Sequence, residues 1–308
     1  MKPFWILPAI ATVATGSCIA FWSYKTSAYP SVAKKHLRKA LLGHYFIPAS
    51  ELPNLVQDEY CAAIRACLGS GMAKESPEVV GIREHLADYY RLINQHHKRI
   101  SVLQSIFEDC TQSEQNDEPT NRNAALKAAQ LLSEHMLDLN DSQSAKVYLE
   151  WIVKEGIKGN VTPLQLGSAF ELLGNIYATE NHFDWAIPSY MSSLAMLQQD
   201  NTTDSREKVC RSAIIHNNLA DCFLNSKSID KALDFAQIAL DTSISASPSC
   251  QSCEPAIYCN LAEIKRILGR NDDALRDYQS ALSIAERLGS TEGVQHAQSG
   301  IDLLKRHN

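Results

Sequence analysis

The sequence predicts an all-α body of stacked helical hairpins preceded by one N-terminal transmembrane helix. Three observations predict it. The 308 residues are 45% apolar with almost no alternating runs, so helical spacing dominates the hydrophobic pattern. A Leu–small pair, followed by an aromatic residue and then a row of small residues, returns at a near-constant interval. Pro3 to Tyr24 is a run of 22 residues without a charge.

The repeating pattern is clearest in Gly167 to Ser193. Phe170, Leu173, Gly174 and Tyr177 share one helical face, and after a break at Asn181–His182 the residues Ala186, Tyr190 and Ser193 form a second. Small residues let two antiparallel helices approach, and large ones fill the groove to the next pair. Equivalent Leu–small anchors occur at Leu42–Gly43, Leu86–Ala87, Leu132–Ser133, Leu219–Ala220 and Leu261–Ala262. The six anchors are separated by 44, 46, 41, 46 and 42 residues. Within the second unit Arg99 occupies a position where the others carry a small residue, and the first unit needs a one-residue insertion before Tyr60 and Ala63. The pattern resembles the tetratricopeptide repeat, whose period is about 34 residues, so the connections here are expected to be longer. The body is therefore read as a tetratricopeptide-like helical-hairpin solenoid of about six units.

From the N-terminus, residues 1–25 are expected to form a transmembrane anchor. As a helix, residues 3–24 would extend about 33 Å, enough for a hydrocarbon core of about 30 Å. Trp5 and Trp22 would sit at its two interfaces. A cleaved secretory signal is the rival reading, opposed by the length of the apolar run and the lack of a small–x–small exit. Residues 26–31 form a juxtamembrane joint and residues 32–308 the repeat body. Val32 to Phe46 is a basic amphipathic helix, either an ordinary first repeat helix or one in contact with an anionic membrane surface. Ser76–Pro77 and Thr162–Pro163 pair a capping residue with a proline at the first helical position, so helices are expected to begin there. Thr111 to Asn121, Lys158 to Asn160 and Gln198 to Ser205 read as polar connectors. Asn140, Asn160 and Asn201 begin N-x-Ser/Thr sequons, which matter only in the secretory pathway.

Charge narrows the partners. The first 40 residues contain six basic residues and no acid, so the remainder carries −12 against −6 for the whole chain. An acidic body is a poor match for nucleic acid, and no nucleic-acid partner is expected.

Chemistry-bearing motifs are sparse. There is no phosphate-cradling glycine loop, HExxH or GxSxG, so no catalytic residues are assigned, no cofactor is expected, and the chain is read as non-enzymatic. His96–His97 and His216 read as solvated and packing histidines respectively. Most of the nine cysteines lack paired spacing and suit buried free thiols in a reducing compartment. Cys250–Gln–Ser–Cys253 is the exception. It reads as a disulfide between Cys250 and Cys253, as half of a zinc site with Cys259, or as an ordinary polar loop. A lone CxxC is a weak zinc signal, so no metal is assigned. A thiol oxidoreductase built on this pair would lack any βαβ context.

Several stretches carry a more specific likeness. YPSVAKKHLRKAL (Tyr29–Leu41), ESPEVVGIREHLADYY (Glu75–Tyr90), ISVLQSIFEDC (Ile100–Cys110) and above all Cys250–Ile301 resemble the fungal tetratricopeptide adaptor subunit of the mitochondrial i-AAA protease. The likeness runs from about Tyr29 to the end. It implies a single-pass inner-membrane protein with its repeat body in the intermembrane space. There it would bind unfolded or partner proteins and present them to the membrane-bound protease. Lys25 and the cluster at 34–39 follow the expected span, and the positive-inside rule would keep that side cytosolic. That placement supports the alternative, a cytosol-facing receptor or scaffold anchored in the mitochondrial outer or endoplasmic-reticulum membrane.

In solenoids of this kind the first helix of each hairpin lines the concave face. The positions expected there include Ser168, Glu171, Asn175 and Ala178; Ile214, Asn217, Asp221 and Leu224; and Ala256, Cys259, Glu263 and Arg266. Glu171, Asn175, Asn217, Asp221, Leu224, Glu263 and Arg266 are the candidate partner-binding residues. Side-chain amides there could bond the backbone of an extended chain. The carboxylate clamp of cytosolic chaperone-binding members is expected to be absent, because its cationic places hold Glu171, Ala256 and Asn260.

Overall fold

The computed structural model describes residues 28–46, 53–112, 119–246 and 249–307. The expected span at residues 3–24 lies outside them. Among the described residues there are 13 α-helices and no strand, and no helix is long and apolar enough to cross a membrane. The chain divides into two compact units, Met1–Leu139 and Asn140–Asn308.

The first unit contains α1 (Ser31–Phe46), α2 (Pro53–Gly69), α3 (Pro77–Leu92), α4 (His96–Gln112) and α5 (Pro119–Asp138). Helices α1 and α2 form one hairpin, α3 and α4 a second, and α5 packs on α4. Ala33, Leu37, Ala40, Tyr60, Ala63, Ile82, Leu86 and Tyr89 meet in one buried cluster. Gly43 is obligatory to the first hairpin, since a Cβ there would come within 2.5 Å of Val56 Cγ2. Its neighbour Leu42 differs from the other leucine anchors, being 58% exposed. Leu37 and Leu41 pack into the cluster instead.

Arg99 is buried, and its guanidinium donates to His135 Nδ1 on α5 at 2.8 Å. Arginine only donates, so this bond makes Nδ1 an acceptor and places the imidazole proton on Nε2. That proton faces His96 Nδ1 at 3.3 Å. His96 is exposed, as expected of a solvated histidine, and one ring nitrogen also contacts α5. The residue that broke the small-residue rule thus fastens α5 to α4. The expected connector at 111–121 is also shorter, because α4 continues to Gln112 and α5 begins at Pro119.

The second unit contains α6 (Ser142–Ile157), α7 (Pro163–Thr179), α8 (Phe183–Gln199), α9 (Ser205–Asn225), α10 (Ile229–Ser245), α11 (Glu254–Ile267), α12 (Asn271–Leu288) and α13 (Thr291–His307). The pairs α7–α8, α9–α10 and α11–α12 are successive hairpins, α6 packs on α7, and α13 closes over α12. The steric logic of the repeat is visible at Gly174, where a Cβ would lie 2.7 Å from Tyr190 Cε1. Ala186, Ala232, Ala236, Ala239, Ala274 and Ala281 are fully buried on the second helices.

Local signals set the boundaries. Thr162 and Gln165 form a reciprocal capping box with Pro163 in the first turn. Ser76 precedes Pro77 as expected, yet its hydroxyl makes no cap bond. Asp141 and Asp204 accept backbone N–H bonds at the starts of α6 and α9. Between α8 and α9, Asp200 accepts from the Thr202 hydroxyl and the backbone N–H groups of Thr202 and Thr203. These bonds hold its carboxyl far below the usual range. The turns inside the three hairpins each pass through a left-handed residue, Asn181, Lys227 and Gly269. Asparagine and glycine accept that conformation readily, whereas Lys227 holds it at a cost.

Candidate protein-binding face

The first helices α7, α9 and α11 lie side by side. Their facing side chains are joined by a polar seam. Asn218 Nδ2 donates to Asn175 Oδ1 at 3.3 Å, and Asn260 Nδ2 donates to Asn217 Oδ1 at 3.0 Å. Asn175 Oδ1 also accepts from the Tyr190 hydroxyl at 2.7 Å. Burial pushes that phenol well above its ordinary pKa, so it stays a donor. Every bond named here uses the oxygen of Asn175 or Asn217, which leaves the N–H groups of the half-buried Asn175 for an incoming carbonyl.

The charged residues of the face are matched to one another. Arg211 donates to Glu171 at 2.9 Å and to Ser168 at 3.1 Å. Arg266 grips Glu263 through Nε at 2.8 Å and Nη2 at 2.6 Å, and the Tyr278 hydroxyl adds a third donor at 3.1 Å. The Arg266 bonds hold the Glu263 carboxyl below its ordinary value. Asp221 accepts from Asn225 at 3.0 Å, and desolvation by its neighbours still raises its carboxyl pKa. Its residue is nevertheless exposed, so solvent limits that rise.

The structure places the candidate residues unequally. Asn217 is buried at 9%, so it acts mainly within the seam. Glu171, Asn175, Leu224, Glu263 and Arg266 are half-buried, and Asp221 is exposed. Arg211 was missed by sequence reasoning because it lies one turn before the first position counted in its repeat. It supplies the cation that seemed to be absent, although Glu171 already occupies it.

The CxxC expectation is corrected. Cys250 is disulfide-bonded to Cys210 of α9, not to Cys253. Cys253 is a free thiol donating to the Cys250 carbonyl, and its N–H bonds the same oxygen at 3.0 Å. That tight turn engages Cys253 with the Cys250 backbone while the Cys250 sulfur pairs with α9. Burial pushes the Cys253 thiol pKa up, which makes it a weak nucleophile. Cys259 is buried and free. Among the described residues no group of three or more His, Cys, Asp or Glu could hold a metal.

With this geometry in view, the known relatives agree on the fold. The tetratricopeptide-repeat family profile matches residues 255–287, which cover α11 and most of α12. A tetratricopeptide repeat-containing protein of Schizosaccharomyces pombe is 25% identical over 99% of this chain and 89% of its own length. Among solved structures, BtubC of P. vanneervenii superposes with a TM-score of 0.57 over 85% of this chain and 94% of its own, at 14% identity. The Cut9–Hcn1 hetero-tetramer of the APC/C superposes with a TM-score of 0.52 over 93% of this chain and 45% of its own, at 13% identity. Residues 255–287 thus match the tetratricopeptide-repeat family, and the described residues share the all-helical fold of these solved structures. Tetratricopeptide-repeat scaffolds are typically non-enzymatic protein-interaction modules.

Proposed function

We propose that the chain is a membrane-tethered adaptor that binds unfolded or partner proteins and presents them to the mitochondrial i-AAA protease. The observation that carries the binding role is the α7–α9–α11 face. Its charges are already matched in Glu171–Arg211 and Glu263–Arg266, while the half-buried Asn175 is bonded through its oxygen and keeps its amide N–H groups for a client. A face of that kind favours backbone over any particular charged side chain, as a client of no fixed sequence requires. The uncharged run at residues 3–24 supports the tether, and tethering raises effective concentration so that weak contacts suffice. The likeness of Cys250–Ile301 to the fungal i-AAA adaptor supports this partner, the inner membrane and the intermembrane space.

The alternative is a cytosol-facing scaffold in the mitochondrial outer or endoplasmic-reticulum membrane, favoured by the cations after the expected span. The Cys210–Cys250 disulfide weighs against it, since disulfides are rare in the cytosol. Protease treatment of mitochondria with a C-terminally tagged chain separates the two. The tag is expected to be protected until the outer membrane is opened. Digestion in intact mitochondria would rule out the intermembrane space.

A further inference from the structure

The two terminal helices of the described chain end very differently. Helix α13 exposes Thr291, Glu292, Gln295, His296, Ser299, Asp302, Lys305 and Arg306, all polar, as the solvated cap of a repeat stack requires. Helix α1 does not. Its exposed residues include Val32 (59%), Leu42 (58%), Tyr45 (55%) and Phe46 (78%), together with Lys35, Arg38 and Lys39. At 3.6 residues per turn these seven fall within an arc of about 140°. The opposite side of the helix is the buried one, with Ala33, Leu37, Ala40 and His44 turned to the core.

The helix itself contains no acid. The carboxylate beneath it, Glu59 of α2, is largely covered and is engaged by Lys39 at 3.0 Å and His36 at 2.5 Å. Tyr45 leans on His85, its hydroxyl 3.3 Å from Nδ1, while its ring remains half open. Glu59 offsets part of that charge, so the stripe is net basic in its middle and apolar and aromatic toward its C-terminal end.

Two occupants are disfavoured by charge. A second copy meeting this face across a two-fold axis would set Lys35, Arg38 and Lys39 against their own images. The chain's own first 27 residues hold Lys2 and Lys25 and no acid, so folding back would also bring like charges together.

We propose that this face of α1 lies on an anionic lipid surface, with Leu42, Tyr45 and Phe46 entering the headgroup boundary and Lys35, Arg38 and Lys39 contacting lipid phosphates. Lysine and arginine stems cover apolar surface while their heads stay in the polar layer, which suits cations interleaved with apolar side chains. The proposal rests on the tethered reading in one respect. Residues 25–30 can extend at most about 20 Å, so a span ending near Tyr24 would hold α1 within reach of the bilayer.

The test uses the full chain in nanodiscs of phosphatidylcholine with or without phosphatidylglycerol. The photo-crosslinking residue p-benzoylphenylalanine replaces Phe46, or, as a control, the 85%-exposed Ile157 of α6. Lipid adducts are expected several-fold more often at position 46 than at 157, and only with the anionic lipid. Replacing Lys35, Arg38 and Lys39 by Gln should lower the yield, with each cation contributing on the order of five-fold. Circular dichroism of that variant reports whether the fold survives. Equal labelling at the two positions, indifference to phosphatidylglycerol, or a protein–protein adduct at position 46 would overturn the proposal. Failure of the tether is seen separately. A chain released by alkaline extraction is not integral, and flotation with phosphatidylglycerol vesicles then reads the contact directly, with no flotation counting against it.

Discussion

Cys210 on α9 is disulfide-bonded to Cys250 at the entry to α11, 40 residues further along, with the whole of α10 looped between them. The bond joins consecutive first helices of the candidate face at their N-terminal ends. The seam Asn260–Asn217 joins the same two helices further along. A closed loop of this size stabilises mainly by restricting the unfolded chain, by about 4 kcal/mol on the chain-entropy relation. Reduction, or Cys210→Ala with Cys250→Ala, is expected to lower the melting temperature in a thermal scan. Cys253→Ser should leave it nearly unchanged, because Cys253 takes no part in the bond.

The contact of Gly174 with Tyr190 gives a second prediction. Tyr190 is 2% exposed and tied through its hydroxyl to Asn175, so its ring cannot easily yield to a new Cβ. Gly174→Ala should cost about 1–3 kcal/mol through overpacking, despite the better helix propensity of alanine. Chemical denaturation reads the loss directly, and a stabilised variant would contradict the geometry.

Lys227 holds φ at 64° in the turn between α9 and α10, where the next hairpin uses Gly269. Lys227→Gly is expected to stabilise by about 0.5–1 kcal/mol, the relief of left-handed strain less the added freedom of the unfolded glycine. The same change at Asn181, whose side chain tolerates this conformation, should have a smaller effect.

Acid should weaken the fold while the carboxylates are still ionised. Burial lowers the pKa values of His44, His135 and His216, and Arg99 beside His135 lowers that one further. A depressed imidazole means that the unfolded chain binds more protons. The associated stability is therefore present above the unfolded value of about 6.5 and is lost as pH falls through the folded values. Glu263, held low by Arg266, loses its share only at more acid pH, below about 4.3. Melting temperatures measured downward from neutral pH should begin to fall near pH 6.5, and His135→Gln should flatten that slope.

How far the fold could be read depended on the range of each signal. Leu173–Gly174 and Tyr190 are local to one hairpin, and the steric need that joins them is written in their spacing. The same holds for Thr162–Pro163, whose capping box depends on a residue three positions away. The pairing of Cys210 with Cys250 was not legible, since nothing in a CxxC pattern points to a thiol 40 residues upstream. Arg99 looked like a defect until His135 appeared opposite it across a helix boundary. Leu42 shows the reverse failure. Its pattern matches a buried anchor, but among the described residues no hairpin precedes its helix to cover it, and it is 58% exposed. On the binding face, Asn175 and Asn217 could be placed from periodicity, whereas the matching of Glu171 to Arg211 needed two repeats side by side.

The central claim is that a polar repeat face takes hold of client chains beside a membrane-bound protease. Affinity purification of the intact tagged chain from mitochondria in mild detergent, beside the Asn175→Ala variant, tests it most directly. The account expects the i-AAA protease with both proteins, and several-fold less unfolded client with the variant. Absence of the protease from the wild-type purification, or equal client recovery from a folded variant, would contradict it.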